Sequence, residues 1–267
     1  MDTLDAAPPE AAPLSTGWRD AAVDLGASVA GGVQRSDGSV AWAERRGPRR
    51  HHADAAAAHR GATGRLAVAV ADGVGDAEAA GFAARLVADH AVRVAVLEGR
   101  PDLALLAAHD LLVSTHDLVP GDAAAVVALA PGAGDPRWRL AWVGDCRALA
   151  WDGRSLRTLT ADHTVAAAMR AHGVPVHPRL ENVLTTSVRT VRPHEVGIAV
   201  VDDPGTLLLV SDGVHRSVRA PALAAALAAG GGPAAQAERV LALAAEAGTT
   251  DNATVLVASP GEQKGGL

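Results

Sequence analysis

Short apolar runs alternate with long alanine-rich stretches along most of this chain. Leu66–Ala71 is an uninterrupted apolar run, which is typical of a strand buried on both faces. The stretch from Ala77 to Leu97 has few helix breakers and many good helix formers, so we predict a helix there. Asp72 therefore stands where a buried strand ends and a helix is about to begin.

The same reasoning predicts the remaining elements. Gly99–Pro101 separates the first helix from a second helix at Leu103–His116. Two further helices are predicted at Pro221–Ala229 and Ala234–Ala247, and strands at Ala123–Ala130, Trp138–Val143, Arg147–Trp151, Ser155–Leu159, Val196–Val201, Thr206–Val210 and Ala253–Ala258.

Several of these strands are joined by very short connections. Only Gly144–Cys146 separates Trp138–Val143 from the next strand, and Asp152–Gly153 marks the turn after that. Near the N-terminus, Ser28–Gln34 and Ser39–Glu44 are predicted to form a hairpin turning at Asp37–Gly38. Because parallel neighbours need a long crossover, we expect antiparallel sheets covered by paired helices.

The domain limits follow from composition. Residues 1–16 are rich in proline, alanine and acids, which predicts a disordered tail. A single folded domain is expected over residues 17–258, followed by a polar tail at residues 259–267. Within the domain, Asp162–Val191 is polar and irregular apart from a short helix near Val165–Ala171, and we interpret it as a surface flap.

Composition narrows the class of protein. The 267 residues are 49% apolar, enough to bury a core without disulfides, but only 2% aromatic, so Ala, Val and Leu are expected to fill the interior. A net charge of -6 argues against nucleic acid as a partner. A single cysteine, Cys146, excludes an internal disulfide and suits a reducing compartment. With no secretory signal and no bilayer-spanning run, a cytoplasmic monomer with no membrane partner is expected.

Four aspartates occupy similar positions in the chain, because each lies at one end of an apolar strand. Asp72, Asp145 and Asp212 end strands, and Asp251 precedes the last one. A single such Asp is more often a turn or cap residue, but four at strand ends can converge. Clustered carboxylates without Cys or organised His favour Mg²⁺ or Mn²⁺ over Zn²⁺. Two such ions can lower the pKa of a shared water and direct it, as hydroxide, at phosphorus.

The order of the short motifs resembles that of a known family, the metal-dependent protein serine/threonine phosphatases of type 2C (PPM). The resemblance covers about Ala27–Ala258. It is carried by Asp72–Gly75, Val143–Arg147, Ala161–Thr164, Leu209–Gly213 and Thr250–Thr254.

This resemblance implies an α+β fold, a four-layer α-β-β-α sandwich of two antiparallel sheets flanked by helix pairs. It also implies hydrolysis of phosphoserine or phosphothreonine on a phosphorylated protein substrate, with two Mn²⁺ or Mg²⁺ ions. Arg49 matches the phosphate-binding arginine, and its fork suits two phosphoryl oxygens. The implied ligands are Asp72 bridging both ions, the Gly73 carbonyl, Asp54 as the acid of the first motif, Asp212 and Asp251 at the first ion, and Asp145 with Asp212 at a weaker third ion.

The chain also departs from the family pattern. His52 and Ala53 replace polar residues near the second metal, which leaves open a phosphatase-like binding module with weak or no turnover. Val74 replaces a histidine suggested as the general acid, so leaving-group protonation is expected to fall to a metal-bound water.

Other chemistry is less well supported. Gly73–Gly75 after a strand suggests a nucleotide-binding oxidoreductase, but Glu78 stands where the third glycine is needed. Cys146 lacks the arginine that a cysteine phosphatase requires and is interpreted as a buried structural thiol. His51, His52 and His59 have no zinc-type spacing and are interpreted as surface histidines.

Overall fold

The computed structural model describes residues 32–36, 38–132, 134–202 and 204–259. The strands are β1 (Gly32–Ser36), β2 (Val40–Arg45), β3 (Asp54–Arg60), β4 (Leu66–Gly73), β5 (Ala123–Leu129), β6 (Arg137–Val143), β7 (Arg147–Trp151), β8 (Leu156–Thr158), β9 (Gly197–Asp202), β10 (Thr206–Val210) and β11 (Ala253–Ala258). The helices are α1 (Glu78–Glu98), α2 (Pro101–Ser114), α3 (Val165–Ala171), α4 (Asp212–His215), α5 (Ala220–Ala228) and α6 (Gly232–Glu246), with 3-10 turns at Pro178–Leu180 and Pro193–Glu195.

The strands form two sheets, and within each sheet every pair of neighbouring strands is antiparallel. One sheet has the order β3-β4-β5-β6-β9, and the other has the order β1-β2-β11-β10-β7-β8. Helices α1 and α2 cover the outer face of the five-stranded sheet, and α4, α5 and α6 cover that of the six-stranded sheet. The predicted α-β-β-α sandwich is confirmed.

Successive side chains of a central strand point alternately to the helices and to the other sheet, and both faces are covered. In β4, Ala67, Ala69 and Ala71 face the helices, while the larger Leu66, Val68 and Val70 face the other sheet. Small residues let α1 lie close to the sheet, and branched ones fill the space between sheets. A continuous apolar run is what burial on both faces requires.

The inner layer corrects one expectation about the core. Alanine, valine and leucine dominate it, but Trp138 is 1% exposed and Trp142 and Trp151 are also buried. Trp138 and Trp142 lie on the inner face of β6, between the sheets. A few tryptophans therefore supply volume that the alanine-rich strands lack.

The connection from β6 to β7 is a second correction. These strands were expected to be antiparallel neighbours, yet β6 belongs to the five-stranded sheet and β7 to the six-stranded one. Gly144–Cys146 crosses the roughly 10 Å between packed sheets, a span that three extended residues can reach. Gly144 turns the chain with a φ of 90°. A short link thus does not imply pairing when two sheets meet at one edge.

Most other elements lie within a few residues of their predicted limits. The β1–β2 and β7–β8 hairpins are present, and α3 has the predicted bounds. Strand β3 and the short helix α4 were not predicted. The tails, including residues 1–16, lie outside the described residues. Within the described ranges, no helix is long and apolar enough to cross a membrane.

Candidate active site

One cleft collects the four strand-end aspartates. It opens where β4, β6 and β10 end and where β11 begins. Its walls come from distant parts of the chain, including the flap. The lining residues are Arg49, Asp72, Gly73, Val74, Gly75, Ala124, Asp145, Asn182, Leu184, Asp212, Asp251 and Asn252.

Asp54 lies behind this cleft rather than on its wall. It pairs with Asp72 across the β3–β4 ladder and is 3% exposed. One carboxylate oxygen accepts a hydrogen bond of 2.6 Å from the Ser211 hydroxyl, directly before Asp212. The other oxygen, Oδ1, is buried and has no hydrogen-bond partner among the described residues. A buried carboxylate oxygen without a donor is expensive unless a cation balances it.

Crowding of the acids alters their protonation. Burial, followed by the charges of Asp54 and Asp212, raises the pKa of Asp72 well above its usual value. Burial raises the pKa of Asp54 to about 7, and the Asp212 charge adds to this shift. Burial and the charge of Asp145 raise the pKa of Asp212 to about 6. Carboxylates that repel one another in this way fit divalent cations, because cations stabilise all the charges together.

The acids do not by themselves form a finished ligand shell. In the part of the chain that is described, no three Asp, Glu, His or Cys side chains form a ready metal-binding group. Two arginines lie among these carboxylates. Arg49 Nη2 lies 2.5 Å from Asp251 Oδ2, and Arg216 Nη2 lies 2.6 Å from Asp145 Oδ2. Convergence on one cleft, the raised pKa values and the orphaned oxygen of Asp54 still fit two hard cations.

Among the acids of the cleft that pair with an arginine, Asp145 has the least exposed side chain. It lies in the β6–β7 crossing with a side chain 7% exposed. Burial raises the pKa of Asp145, while the charge of Arg216 and its hydrogen bond oppose the shift. Arg216 also lies 3.2 Å from Asp212 Oδ2.

The loop that carries Arg49 is held from two sides. The Asn252 amide donates to the carbonyl oxygens of Arg46 and His51 at 2.6 and 3.1 Å and accepts from the backbone N–H of Ala53 at 2.7 Å. Asp76 accepts from the backbone N–H of His51 at 3.0 Å. These bonds place Arg49 at the rim of the cleft beside Asp251.

Glycine is required at positions 73 and 213 for a structural reason that the sequence did not reveal. They were interpreted as places where the backbone approaches a ligand. A Cβ on Gly73 would collide with the carbonyl oxygens of Ala80 and Ala53, and one on Gly213 would collide with that of Asn252. Their small size thus lets neighbouring backbone segments pack closely behind the acids. Gly73 also lines the cleft, as its expected ligand role requires.

His51 and His52 lie just before β3, and His59 lies near its end. All three of His51, His52 and His59 have intermediate exposure, so each lies at the surface but none is fully exposed to solvent. Both ring nitrogens of His52 are buried without a hydrogen bond to a described residue, and Nε2 lies 3.8 Å from Glu44 Oε2. Burial and the charge of Arg85 lower the pKa of His52. A neutral imidazole is therefore packed where a polar family residue was expected.

Cys146 is buried and unpaired, as predicted for a structural thiol. Burial raises its pKa well above the usual value, and the Asp72 charge adds to this. A thiol that resists ionisation is a poor nucleophile, so cysteine chemistry has no support here.

The flap is tied to the domain more firmly than a surface loop. Asn182 and Leu184 line the cleft, and the Thr185 N–H donates to the His163 carbonyl at 2.8 Å. Ser187 and Val188 are buried. Thr164 and Ala166 near the start of the flap are buried as well, so the surface interpretation holds mainly for its middle, residues 170–185.

Sequence reasoning missed four residues at this site. Ser211 and Asn252 directly adjoin Asp212 and Asp251, so adjacency to the predicted ligands was the available signal. Arg216 stands one helical turn after Asp212, which is an ion-pair spacing. Asn182 has no such signal.

Comparison with known proteins finds similarity in fold but not in sequence families. No protein-family model matches the chain, and no curated protein matches its sequence. Solved structures do match. The serine/threonine phosphatase Stp1 from Staphylococcus aureus superposes with a TM-score of 0.72 at 19% identity, covering 88% of this chain and 98% of that one.

Two structures of the phosphatase PstP give the same result. PstP/Ppp from Mycobacterium tuberculosis matches with a TM-score of 0.69 at 23% identity, covering 82% of this chain and 97% of that one. The catalytic domain of PstP, solved in complex with two manganese ions, matches with a TM-score of 0.66 at 24% identity, covering 82% and 96%. The chain has the fold of these serine/threonine phosphatases, and the fold that the type 2C resemblance implied is confirmed.

Proposed function

We propose that this protein hydrolyses phosphoserine or phosphothreonine on phosphorylated proteins with two Mn²⁺ or Mg²⁺ ions. The observation that carries the proposal is the cleft itself. Four aspartates from four separate strand ends converge there, and an arginine stands at the rim. The fold shared with a phosphatase that was solved with two manganese ions agrees with it.

The residues divide into ligands and a substrate-binding group. Asp72 would contact both ions, with the Gly73 carbonyl and Asp54 beside it, and Asp212 and Asp251 would complete the first site. When bound, the ions supply Lewis-acid activation of a water and stabilise charge on the phosphoryl group. Because the ligands come from rigid strand ends, they hold the reacting groups in place.

Arg49 would bind the phosphoryl group. Its guanidinium contacts only Asp251 among the described side chains, and 35% of its side chain is exposed. A cation beside Asp251 would compete for that carboxylate and free the fork for two phosphoryl oxygens. Arg49, Asp72 and Asp212 are the residues we assign to catalysis.

The leaving-group proton has no side-chain donor at Val74. This residue is 49% exposed and lines the cleft, but its side chain carries no proton. The proton would therefore come from water in the cleft.

Activity with and without metal tests the proposal. Release of phosphate from a phosphothreonine peptide should require Mn²⁺ and should stop with excess chelator. Asp212→Asn should lower kcat/KM by about two to three orders of magnitude, since it removes a charge at the centre of the cluster. Asp110→Asn on the exposed side of α2 is the matched control and should leave the rate unchanged. Equal turnover with Mn²⁺ and with chelator would contradict the proposal.

A phosphatase-like binding module is the second candidate. It is favoured by His52, a neutral imidazole whose ring nitrogens are buried, and by Ala53, since neither side chain supplies an oxygen ligand beside the second ion. Calorimetric titration with Mn²⁺ separates the two functions. A protein that binds one ion, binds the phosphopeptide and does not release phosphate is a binding module.

A further inference from the structure

Arg216 lies where the resemblance implies a third cation. It follows Asp212 by one turn of α4, and its guanidinium lies 3.2 Å from Asp212 Oδ2 and 2.6 Å from Asp145 Oδ2. These two carboxylates are the pair expected to hold the weaker third ion. A third acceptor, the Glu181 carbonyl of the flap, receives a hydrogen bond of 2.8 Å from the same nitrogen, Nη2.

Arg216 is bound differently from Arg49. Arg49 has one carboxylate partner, Asp251, whose side chain is 29% exposed and can be solvated if the arginine leaves. Arg216 has three acceptors on three segments, and its partner Asp145 is only 7% exposed. Removing the cation would leave a buried carboxylate with an uncompensated charge, which is strongly unfavourable. Displacement of Arg216 is therefore much harder than displacement of Arg49.

The charge balance also argues against a third ion. Asp145 and Asp212 together carry two negative charges, and Asp212 is also a ligand of the expected two-ion site. A guanidinium already neutralises one of them. A divalent ion placed between the same oxygens would lie within a few ångströms of a positive charge, and such like-charge contacts in a partly desolvated cleft are strongly unfavourable.

We propose that Arg216 replaces the third cation, so that this protein binds two divalent ions and uses a guanidinium to hold Asp145 against Asp212. The inference rests on the proposed two-ion function. It also gives Arg216 a positioning role, because its bond to the Glu181 carbonyl fixes the segment that brings Asn182 to the cleft wall. A mobile ion is thereby replaced by a cation that links the acids to the flap.

Counting bound Mn²⁺ tests this directly. Equilibrium dialysis against Mn²⁺ alone, up to millimolar concentration, should give two ions for the wild type. Arg216→Gln keeps much of the length but removes the charge, and it should take up about one further, weaker ion. Arg216→Lys keeps the charge and should stay at two. This contrast separates charge from packing, because a purely structural role would affect both variants alike.

Two further variants serve as controls for this measurement. Asp145→Asn combined with Arg216→Gln removes one charge of each sign and should return the count to two, even if Arg216→Gln alone is unstable. Arg170→Ala is the matched control, since Arg170 pairs with Glu181 but contacts neither Asp145 nor Asp212. It should bind two ions.

The outcomes separate this inference from the proposed function. Three ions in the wild type would show that Arg216 moves aside and would overturn the inference. Two ions in both the wild type and a folded Arg216→Gln variant would overturn it as well, while leaving the two-ion function intact. No bound Mn²⁺ in the wild type would contradict the function, and the inference with it.

Discussion

Single residues in this protein carry protonation states that the fold imposes. His163 is a clear case outside the acid cluster. Its Nδ1 accepts a hydrogen bond of 3.3 Å from the Gly144 N–H, so the imidazole must be neutral with its proton on Nε2. Burial lowers the pKa of His163, although the neighbouring Asp162 opposes the shift. This bond links the flap to the β6–β7 crossing that carries Asp145.

We expect His163 to make stability depend on pH. Because its folded pKa lies below the unfolded value of about 6.5, its contribution is complete above pH 6.5 and is lost as pH falls through the folded pKa. His163→Asn places an oxygen acceptor near Nδ1 but does not titrate. Between pH 7.5 and 5.5, urea unfolding in chelator should show the wild type losing stability relative to the variant. A difference that stays constant over this range would contradict the assignment.

At the scale of elements, the site depends on how closely backbone segments approach each other. Helix α4 begins at Asp212, and its second residue, Gly213, lies against the backbone just before β11. Asp212 and Asp251 are therefore brought together by a contact in which there is no room for a Cβ. The short helix is a consequence of this packing, which explains why no hydrophobic period predicted it.

Gly213→Ala should separate these two elements. The added Cβ meets the Asn252 carbonyl oxygen, so the backbone must shift, at a cost of about 1–3 kcal/mol or more. We expect a lower thermal midpoint and weaker Mn²⁺ binding in calorimetry. Gly132→Ala is the control, because a Cβ there meets no atom within 4 Å. Similar Mn²⁺ affinities in the two variants would show that the close approach does not position the acids.

For the whole molecule, the side chains packed between the two sheets contribute much of the stability of the fold. Seven of the described strands contribute buried side chains to this layer, and many of these side chains are alanines and valines. Trp138 is the largest fully buried side chain, and its indole N–H has no hydrogen-bond partner among the described residues. Its contribution must therefore come from volume and apolar contact.

This distinguishes two substitutions of Trp138. Trp138→Ala should cost about 3–5 kcal/mol, because it opens a cavity between the sheets. Trp138→Phe should cost clearly less, because it keeps a ring and removes a buried donor that has no acceptor. Leu118→Ala, at a residue 84% exposed, should change little. Chemical denaturation of the three variants measures this order, and equal losses for Phe and Ala would contradict it.

Local pattern was enough to predict much of the architecture. The predicted limits of Thr206–Val210 and Ala253–Ala258 agree with β10 and β11, because a strand buried on both faces is apolar along most of its length. Strand β3 was missed, because Ala56, Ala57 and Ala58 have low strand propensity and are strands only because β4 pairs with them. The β6–β7 crossing was missed, because loop length does not state which sheet receives the next strand.

Sequence alone determined that four acids adjoin apolar strands, since both the acids and the apolar runs can be read directly along the chain. Only the tertiary structure decided which acids share a cleft and which cation faces each one. It placed Asp54 behind the cleft, Arg49 at its rim and Arg216 between Asp145 and Asp212. Those contacts join residues up to 202 positions apart, as with Arg49 and Asp251. Electrostatic energy depends on distance in space, which the packing of two sheets sets and no local pattern contains.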